Sequence, residues 1–450
     1  MTVAVRVGAA PAVIDVPDYI DRHPVGAFQL RVMLACAAVL FIDGFDTQAI
    51  GYVAPALASD WKLARGALGP VFSAGLLGLM IGALIFGTLA DRIGRKRIIV
   101  LSAAAFGIGT LLTMLVQDAA WLMILRFLTG LGLGGAMPNA VALTSEFSPH
   151  RRRATMVMTM FAGFSIGAAL GGLLAAALIP AFGWRSVFLV GGLAPLLLAP
   201  VLSALLPESI RYLALVGGRD REVAALLQRV APSEKFASDA CFVVQEPRLP
   251  GLPVAHLFSE GRGVTTLLLW IVFFMSLLDL YLLSNWLPTV LNDLGVSVSL
   301  AAAIGAMLQV GGVAGTFSLG RLIDRFSFRA LAVTYLCAAV AVAAIGFTGH
   351  STGLVTVAIF AAGFCIVGGQ IASNALAATY YPTAIRSTGV GWALGIGRVG
   401  SIVGPLVGGM LLARNTGADS LFTIAAVPAL IASVASILLA RRSMKRSRRS

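Results

Sequence analysis

An all-α membrane protein of twelve spanning helices in two matching halves is the fold class this sequence predicts, and three observations predict it. Of the 450 residues, 58% are hydrophobic and 12% charged, about half the charged share of an ordinary soluble domain. Apolar windows of about 20 residues, the length that crosses a bilayer as helix, recur through the chain. Features of the first half return in the second at one constant spacing.

The windows fall at 30–56, 67–90, 98–116, 120–142, 155–179 and 185–206, then at 265–290, 300–323, 330–348, 353–377, 388–412 and 418–440. The division they predict is a polar segment 1–28, a first bundle 29–207, a central loop 208–262, a second bundle 263–440 and a basic tail 441–450. The opening segment lacks the basic start and short apolar core of a cleaved signal, so the first helix is expected to stay. Of 33 Lys and Arg, 27 lie on one side if the termini are placed together, six of them in the tail RRSMKRSRR. Only Lys62, Arg65, Arg185 and Arg414 lie on the other. That asymmetry predicts cytoplasmic termini. It assigns the net charge of +13 to orientation and anionic lipid rather than nucleic acid. Cys36, Cys337 and Cys365 sit in apolar runs and Cys241 in the central loop, a spacing that implies neither disulfide nor metal site.

An offset of 233 residues lays GTLADRIGRK (87–96) on GRLIDRFSFR (320–329), Pro149 and Arg153 on Pro382 and Arg386, Gly167 and Gly171 on Gly400 and Gly404, and Asp46 and Pro55 on Asp279 and Pro288. Two parallel six-helix halves joined by a loop resemble the major facilitator superfamily. GTLADRIGRKR is similar to that superfamily's signature loop. Glu146 seven residues before Arg153 resembles its companion pattern, and PESIRYL after the sixth helix resembles a closing motif. The resemblance implies a major facilitator fold. It also implies conformational gating by Asp91, Arg92, Arg95, Glu146 and Arg153, with Asp324, Arg325 and Arg386 in the second half. Thr379 stands where Glu146 would repeat, so the second set is incomplete. On the residues alone, Gly87 should allow close helix approach and Asp91 should face a cation at a helix end.

FIDGFDTQAIGYVAPAL (41–57) places two acids inside the first helix. An intramembrane carboxylate costs roughly 2.5–3.5 kcal/mol and is functional by default. Asp43 and Asp46, three positions apart, share a helix face, and with Asp279 they are the candidate proton carriers, Asp46 first. Arg126 and Arg398 are the basic residues well inside helices, and an Arg fork grips a carboxylate in bidentate fashion. Depth along the helices pairs Arg126 with Asp46 and Arg398 with Asp279. Either Arg could hold a substrate anion, Arg126 being the first expectation. Phe45, Tyr281 and Trp286 are candidate aromatic walls. The plainer alternative is that these acids and arginines only neutralise each other.

DGFDTQAIGYVAPAL, RFLTGLGLGGAMPNA, YLLSNWLPT and LGIGRVGSIVGPLVGG together resemble the aromatic acid:proton symporter family. The resemblance implies import of benzoate-type acids such as 4-hydroxybenzoate with protons, in the inner membrane. It implies action as a monomer with no cofactor, the proton gradient being the driving force. Asp279 departs from it, an apolar residue being expected there in some relatives. Competing readings are an exporter, suggested by the glycine-proline spacing of residues 389–409, a carrier of another organic acid such as quinate, and a receptor. An enzyme is excluded by the absence of any nucleophile, metal or phosphate-loop constellation in the sequence.

Overall fold

Hydrocarbon offers no partner to a backbone N–H or C=O, so apolar windows must fold as helices that satisfy themselves. The computed structural model describes residues 13–64, 66–234, 236, 240–244, 254–348, 351–382 and 385–447, the side chains of 321, 324, 387 and 444–447 excepted. Twelve helices are long and apolar enough to span. In the first half these are α1 (Ala27–Asp60), α2 (Gly69–Ile93), α3 (Arg95–Leu115), α4 (Ala119–Glu146), α5 (His150–Phe182) and α6 (Arg185–Leu205). In the second they are α7 (Gly263–Asp293), α8 (Val298–Phe326), α9 (Phe328–Phe347), α10 (Thr352–Tyr380), α11 (Arg386–Ala413) and α12 (Ala418–Ser447). Each window of the sequence has its helix. Most run further than their windows at one end or both, because helices continue past the hydrocarbon; α12 carries through Ser447 into the segment expected to be tail.

The opening segment and central loop are more than connectors. Strand β1 (Val13–Asp15) pairs in parallel with β2 (Cys241–Val243), joining residues far apart in sequence. A short helix, Val16–Arg22, follows β1, started by the Asp15 carboxylate accepting from Asp18 N. In the central loop, Ile210–Val216 and the amphipathic Asp220–Val230 are helical. Between the two segments the Phe236 ring meets Tyr19 at a tilt and Phe242 edge to face, each at 5.4 Å.

Within each half, helices close on one another through glycine, since apolar chains in lipid gain association from close backbone packing. A Cβ at Gly167 of α5 would overlap the Phe41 carbonyl of α1, and one at Gly400 of α11 would overlap the Phe274 carbonyl of α7. Gly78 and Gly82 of α2 meet the Phe127 and Leu131 carbonyls of α4, and Gly311 and Gly315 of α8 meet those of Phe360 and Phe364. Every one of these partners is displaced by 233 residues from its counterpart, so the sequence repeat is a repeat of contacts. Gly400 and Gly404 therefore serve α7–α11 packing, and Gly408 makes room for the Trp286 ring. That gives Gly400, Gly404 and Gly408 of the stretch 389–409 a packing role.

The two halves meet on the side remote from the termini. Gly51 of α1 lies against the Ser284 carbonyl of α7, Ser73 of α2 donates to Ile402 O of α11 at 2.7 Å, and Ser299 of α8 donates to Ala176 O of α5 at 2.5 Å. On the side of the termini, a Cβ at Gly87, Gly320, Gly391 or Gly395 would meet nothing within 4 Å. The close approach expected at Gly87 is absent here because the halves have parted at that end.

In α2 and α11 the contacts Gly66 with Gly409, Gly69 with Pro405 and Ser73 with Ile402 form one antiparallel register. Eleven residues further, almost a whole number of turns, that register brings Leu84, 68% exposed, opposite Gly391. Cysteines placed at 84 and 391 are expected to remain free in the arrangement described here and to form a disulfide during turnover. Oxidative cross-linking with and without substrate checks this; a pair that never cross-links means that the register is not reused.

Candidate functional site

Asp46 faces inward to the first bundle. It is 3% exposed, accepts from Thr110 Oγ1 of α3 at 2.7 Å, and is paired with Arg126 of α4 at 3.5 Å. Arg126 also donates to Thr113 Oγ1 at 3.1 Å and stands over the Phe188 ring of α6, 5.1 Å from its centroid. Four helices thus converge on one ion pair, and in so dry a place the two charges need each other. The pair expected from depth along the helices is present. Thr110 and Thr113 escaped the sequence reading, although two hydroxyls three residues apart in an otherwise apolar window were a usable signal. Beside the pair lies a small cleft of about 30 Å³, lined by Asp46, Thr47 and Arg126 and reached by Asn285 from the other half, a size suited to water and not to a substrate.

Asp43, three residues earlier, points elsewhere. It accepts from Thr47 Oγ1 at 3.0 Å, its second oxygen has no partner among the described residues, and Arg398 of α11 acts on its charge across the gap between halves. Arg398 contacts Tyr281 Oη at 3.4 Å and Met137 Sδ of the first half at 3.3 Å. Among the described residues no carboxylate lies within 4.0 Å of its guanidinium. The two acids that share one stripe of α1 therefore belong to different neighbourhoods, one closed by its own cation and one facing a cation that is not paired.

Depth alone misplaced Arg398. Asp279 does not meet it; Asp279 is 1% exposed and neither carboxylate oxygen has a partner among the described residues. Tyr281 takes the Arg398 side, and two residues turn a helix by about 200°, which sends Asp279 to the far face of α7. Phe45 is wedged between Gly171 of α5 and Gly191 of α6, inside the first bundle. Trp286 donates to Pro405 O at 2.8 Å and meets Phe72 of the other half edge to face at 5.0 Å. The structure thus makes Phe45 a packing residue and Trp286 part of the seal remote from the termini, while Tyr281 is the aromatic candidate beside Arg398.

At the terminal side three motifs converge. Glu146 at the end of α4 pairs with Arg95 and accepts from Ser209 Oγ at 2.6 Å. Glu208 accepts from Lys96 N at 3.1 Å and Ser209 N at 2.8 Å, setting a carboxylate on the positive start of α3. Gly94, at φ +102°, passes so close to Glu208 that no side chain fits. Glu208 and Ser209 lay in the quoted motif PESIRYL without being singled out. Among the described residues Asp91 is held by Arg95 alone, at 3.8 Å, its side chain 73% exposed, and Arg92 is exposed. Arg153 is partly buried with its Nε unpartnered among the described residues. In the second half, Ser327 takes the place of Gly94 at φ +51°, a backbone state disfavoured for a side chain. Arg325 lies over Phe326, and Arg386 Nε donates to Tyr381 O at 3.4 Å. The Asp324 side chain lies outside the described residues. Among the described residues no group of three potential metal ligands occurs.

The chain matches the family model of the Major Facilitator Superfamily over residues 36–368 and 269–450. It is 43% identical over 426 residues to a gallate transporter of Pseudomonas putida, covering 94% of each chain. It is 43% identical over 432 residues to the 4-hydroxybenzoate transporter PcaK of Pseudomonas aeruginosa, covering 95% of this chain and 96% of that one. The benzoate transport protein of Acinetobacter baylyi is 33% identical over 439 residues, 96% of this chain and 94% of its own. In fold, the chain resembles an inward-facing, unoccupied bacterial homologue of the human lysosomal transporter Spinster, with TM-score 0.72, 20% identity, and coverage of 94% and 99%. It also resembles the xylose transporter XylE of Escherichia coli, with TM-score 0.70, 18% identity, and coverage of 93% and 98%.

Removing one member of a buried ion pair costs about 3–5 kcal/mol, far more than removing both. Arg126→Ala should therefore lower the thermal unfolding midpoint in detergent by several degrees, while Asp46→Asn combined with Arg126→Gln should recover most of the loss. Equal destabilisation by the single and double variants would mean that the pair is not the unit of stability.

Proposed function

The chain belongs to the major facilitator superfamily, and we propose that it carries aromatic carboxylates of the benzoate and hydroxybenzoate type inward with protons. That it is a transporter and not an enzyme follows from its family and fold. The aromatic substrate is supported by near full-length similarity to carriers named for gallate, 4-hydroxybenzoate and benzoate. The observation that carries the reading is Arg398, a guanidinium between the halves with no carboxylate within 4.0 Å among the described residues. Tyr281 and Met137 stand beside it and offer ring and thioether surface to an aromatic ligand.

Coupling follows from electrostatics. One guanidinium neutralises one carboxylate, so a substrate anion on Arg398 leaves Asp43 without compensation, and Asp43 takes up a proton. Passed on to Asp46, that proton loosens its hold on Arg126 and frees the first bundle to rearrange. Arg398 thus ranks ahead of Arg126 as the anion site, with Asp46 and Asp43 as proton carriers. Asp91, Arg92 and Arg95, with Glu146, Arg153, Arg325 and Arg386, form the gate that is open in this arrangement. The excess of basic residues on the terminal side sets both termini in the cytoplasm of an inner-membrane protein, so the state described opens inward. Every residue of the candidate site comes from one chain, which supports action as a monomer, driven by the proton gradient without a cofactor.

Right-side-out vesicles under an inward proton gradient should accumulate one or more radiolabelled aromatic acids, but not quinate or a sugar, and an uncoupler should abolish the accumulation. Asp46→Asn should abolish accumulation against a gradient. Arg398→Lys, which keeps the charge but loses the fork, should reduce kcat/KM by about tenfold or more, equivalent to about 1.4 kcal/mol. Flat traces for every acid together with proton-driven extrusion from inverted vesicles would replace import by export.

A further inference from the structure

The two halves surround one pair of equivalent acids differently. The offset of 233 that carries Asp46 onto Asp279 carries Arg126 onto Ile359, Thr110 onto Ala343 and Thr113 onto Gly346. The second half has kept the acid and replaced all the groups that satisfy it in the first. Asp279 is correspondingly 1% exposed with both oxygens unpartnered among the described residues. The ionisable group that faces it is Tyr335 of α9, whose Oη lies 3.1 Å from Ser373 Oγ of α10, either of them able to donate. Ser276, one turn earlier on α7, lies beside the Tyr335 hydroxyl, its own hydroxyl otherwise without a partner among the described residues.

The other elements packed on α7 bring no charge to this point. α8 and α12 carry theirs in terminal turns, α10 offers Cys365 and Tyr380 about two turns from Ser373, and Arg398 of α11 and Asp43 of α1 lie on the Tyr281 side. An ionised carboxylate without a partner is not tolerated in so dry a place, so Asp279 holds a proton in this state. A neutral acid retained for structure alone would donate that proton to an acceptor. Neither oxygen has one, so a structural role does not account for it.

Resting on the symport reading above, we propose that Asp279 is a second proton-binding site in the second half. Each monocarboxylate then enters with two protons, and transport carries net positive charge inward. The proton binds Asp279 when the site communicates with the far side. It leaves when rearrangement lets Ser276, Tyr335 or water donate to the carboxylate that remains.

The test uses the full chain in proteoliposomes with radiolabelled 4-hydroxybenzoate, driven either by a pH gradient alone or by a valinomycin-clamped potassium potential, inside negative, at equal pH. Wild type should accumulate label under either force, the potential adding a factor of about 50 for each 100 mV or so. Asp279→Asn, a neutral isostere of the protonated acid, should keep uptake driven by the pH gradient and lose the response to potential. Asp279→Glu should restore that response. Wild type that responds to pH but not to potential overturns the second proton, and this reading needs no variant. An Asp279→Asn protein that responds to potential as wild type does overturns the assignment to this residue. Wild type that accumulates label under neither force refutes the symport reading itself.

Discussion

Glycine against carbonyl is the contact on which the molecule depends. In lipid there is no hydrophobic gain in bringing apolar helices together, so association rests on how closely backbones can pack. Gly44 and Gly167 let α1 lie on α5, and Gly400 and Gly404 let α7 lie on α11. These contacts fix the two helices that carry Asp43, Asp46, Asp279 and Tyr281 at the centre of the molecule. They also fix the rotation of each helix about its axis, because a glycine face must turn to its partner. The direction of every intramembrane acid is a consequence.

Given that rotation, the halves have divided the electrostatic work. Apart from Asp43, the first half satisfies its own charges: Asp46 has Arg126, Thr110 has Asp46, and Glu146, Arg95, Glu208 and Ser209 close a network at the terminal side. The second half supplies what is unpaired, namely Arg398 toward the gap and Asp279 toward its own interior. Thr379 in place of Glu146 and Ser327 in place of Gly94 show the same loosening at the terminal loop. A carrier needs both kinds of half. Fully compensated charges give a rigid reference, and uncompensated ones give sites whose occupancy can change.

Much of this was legible in the sequence, because span length, charge asymmetry and a constant offset are properties of one chain read in order. The Asp46 and Arg126 pair could be anticipated from depth alone, since both residues also happen to point into the same bundle. Asp279 and Arg398 share a depth and point apart, and depth cannot detect that. Phe45 and Trp286 failed as cavity residues for the same reason: each sits where neighbouring glycines leave room for a ring, and those glycines lie on other helices. The pairing of β1 with β2 was equally out of reach, for three-residue strands carry too little pattern to announce a partner more than two hundred positions away.

The seal between the halves explains how so apolar a molecule can move. Among its contacts are Gly51 on a carbonyl, two serine hydroxyls donating to backbone oxygens, Gly69 near Pro405, and one ring pair, Trp286 on Phe72. The ring pair apart, these side chains are small and bury little area, and a hydroxyl that leaves a carbonyl on one helix can return to its own chain or to water. Breaking these contacts therefore gives up one aromatic contact and little other dispersion, whereas breaking α1 from α5 would expose glycine faces along much of a helix. The weak surface lies between the halves and the strong ones within them. Motion is thus confined to the relative tilt of two bodies, with Asp43 on one and Arg398 on the other.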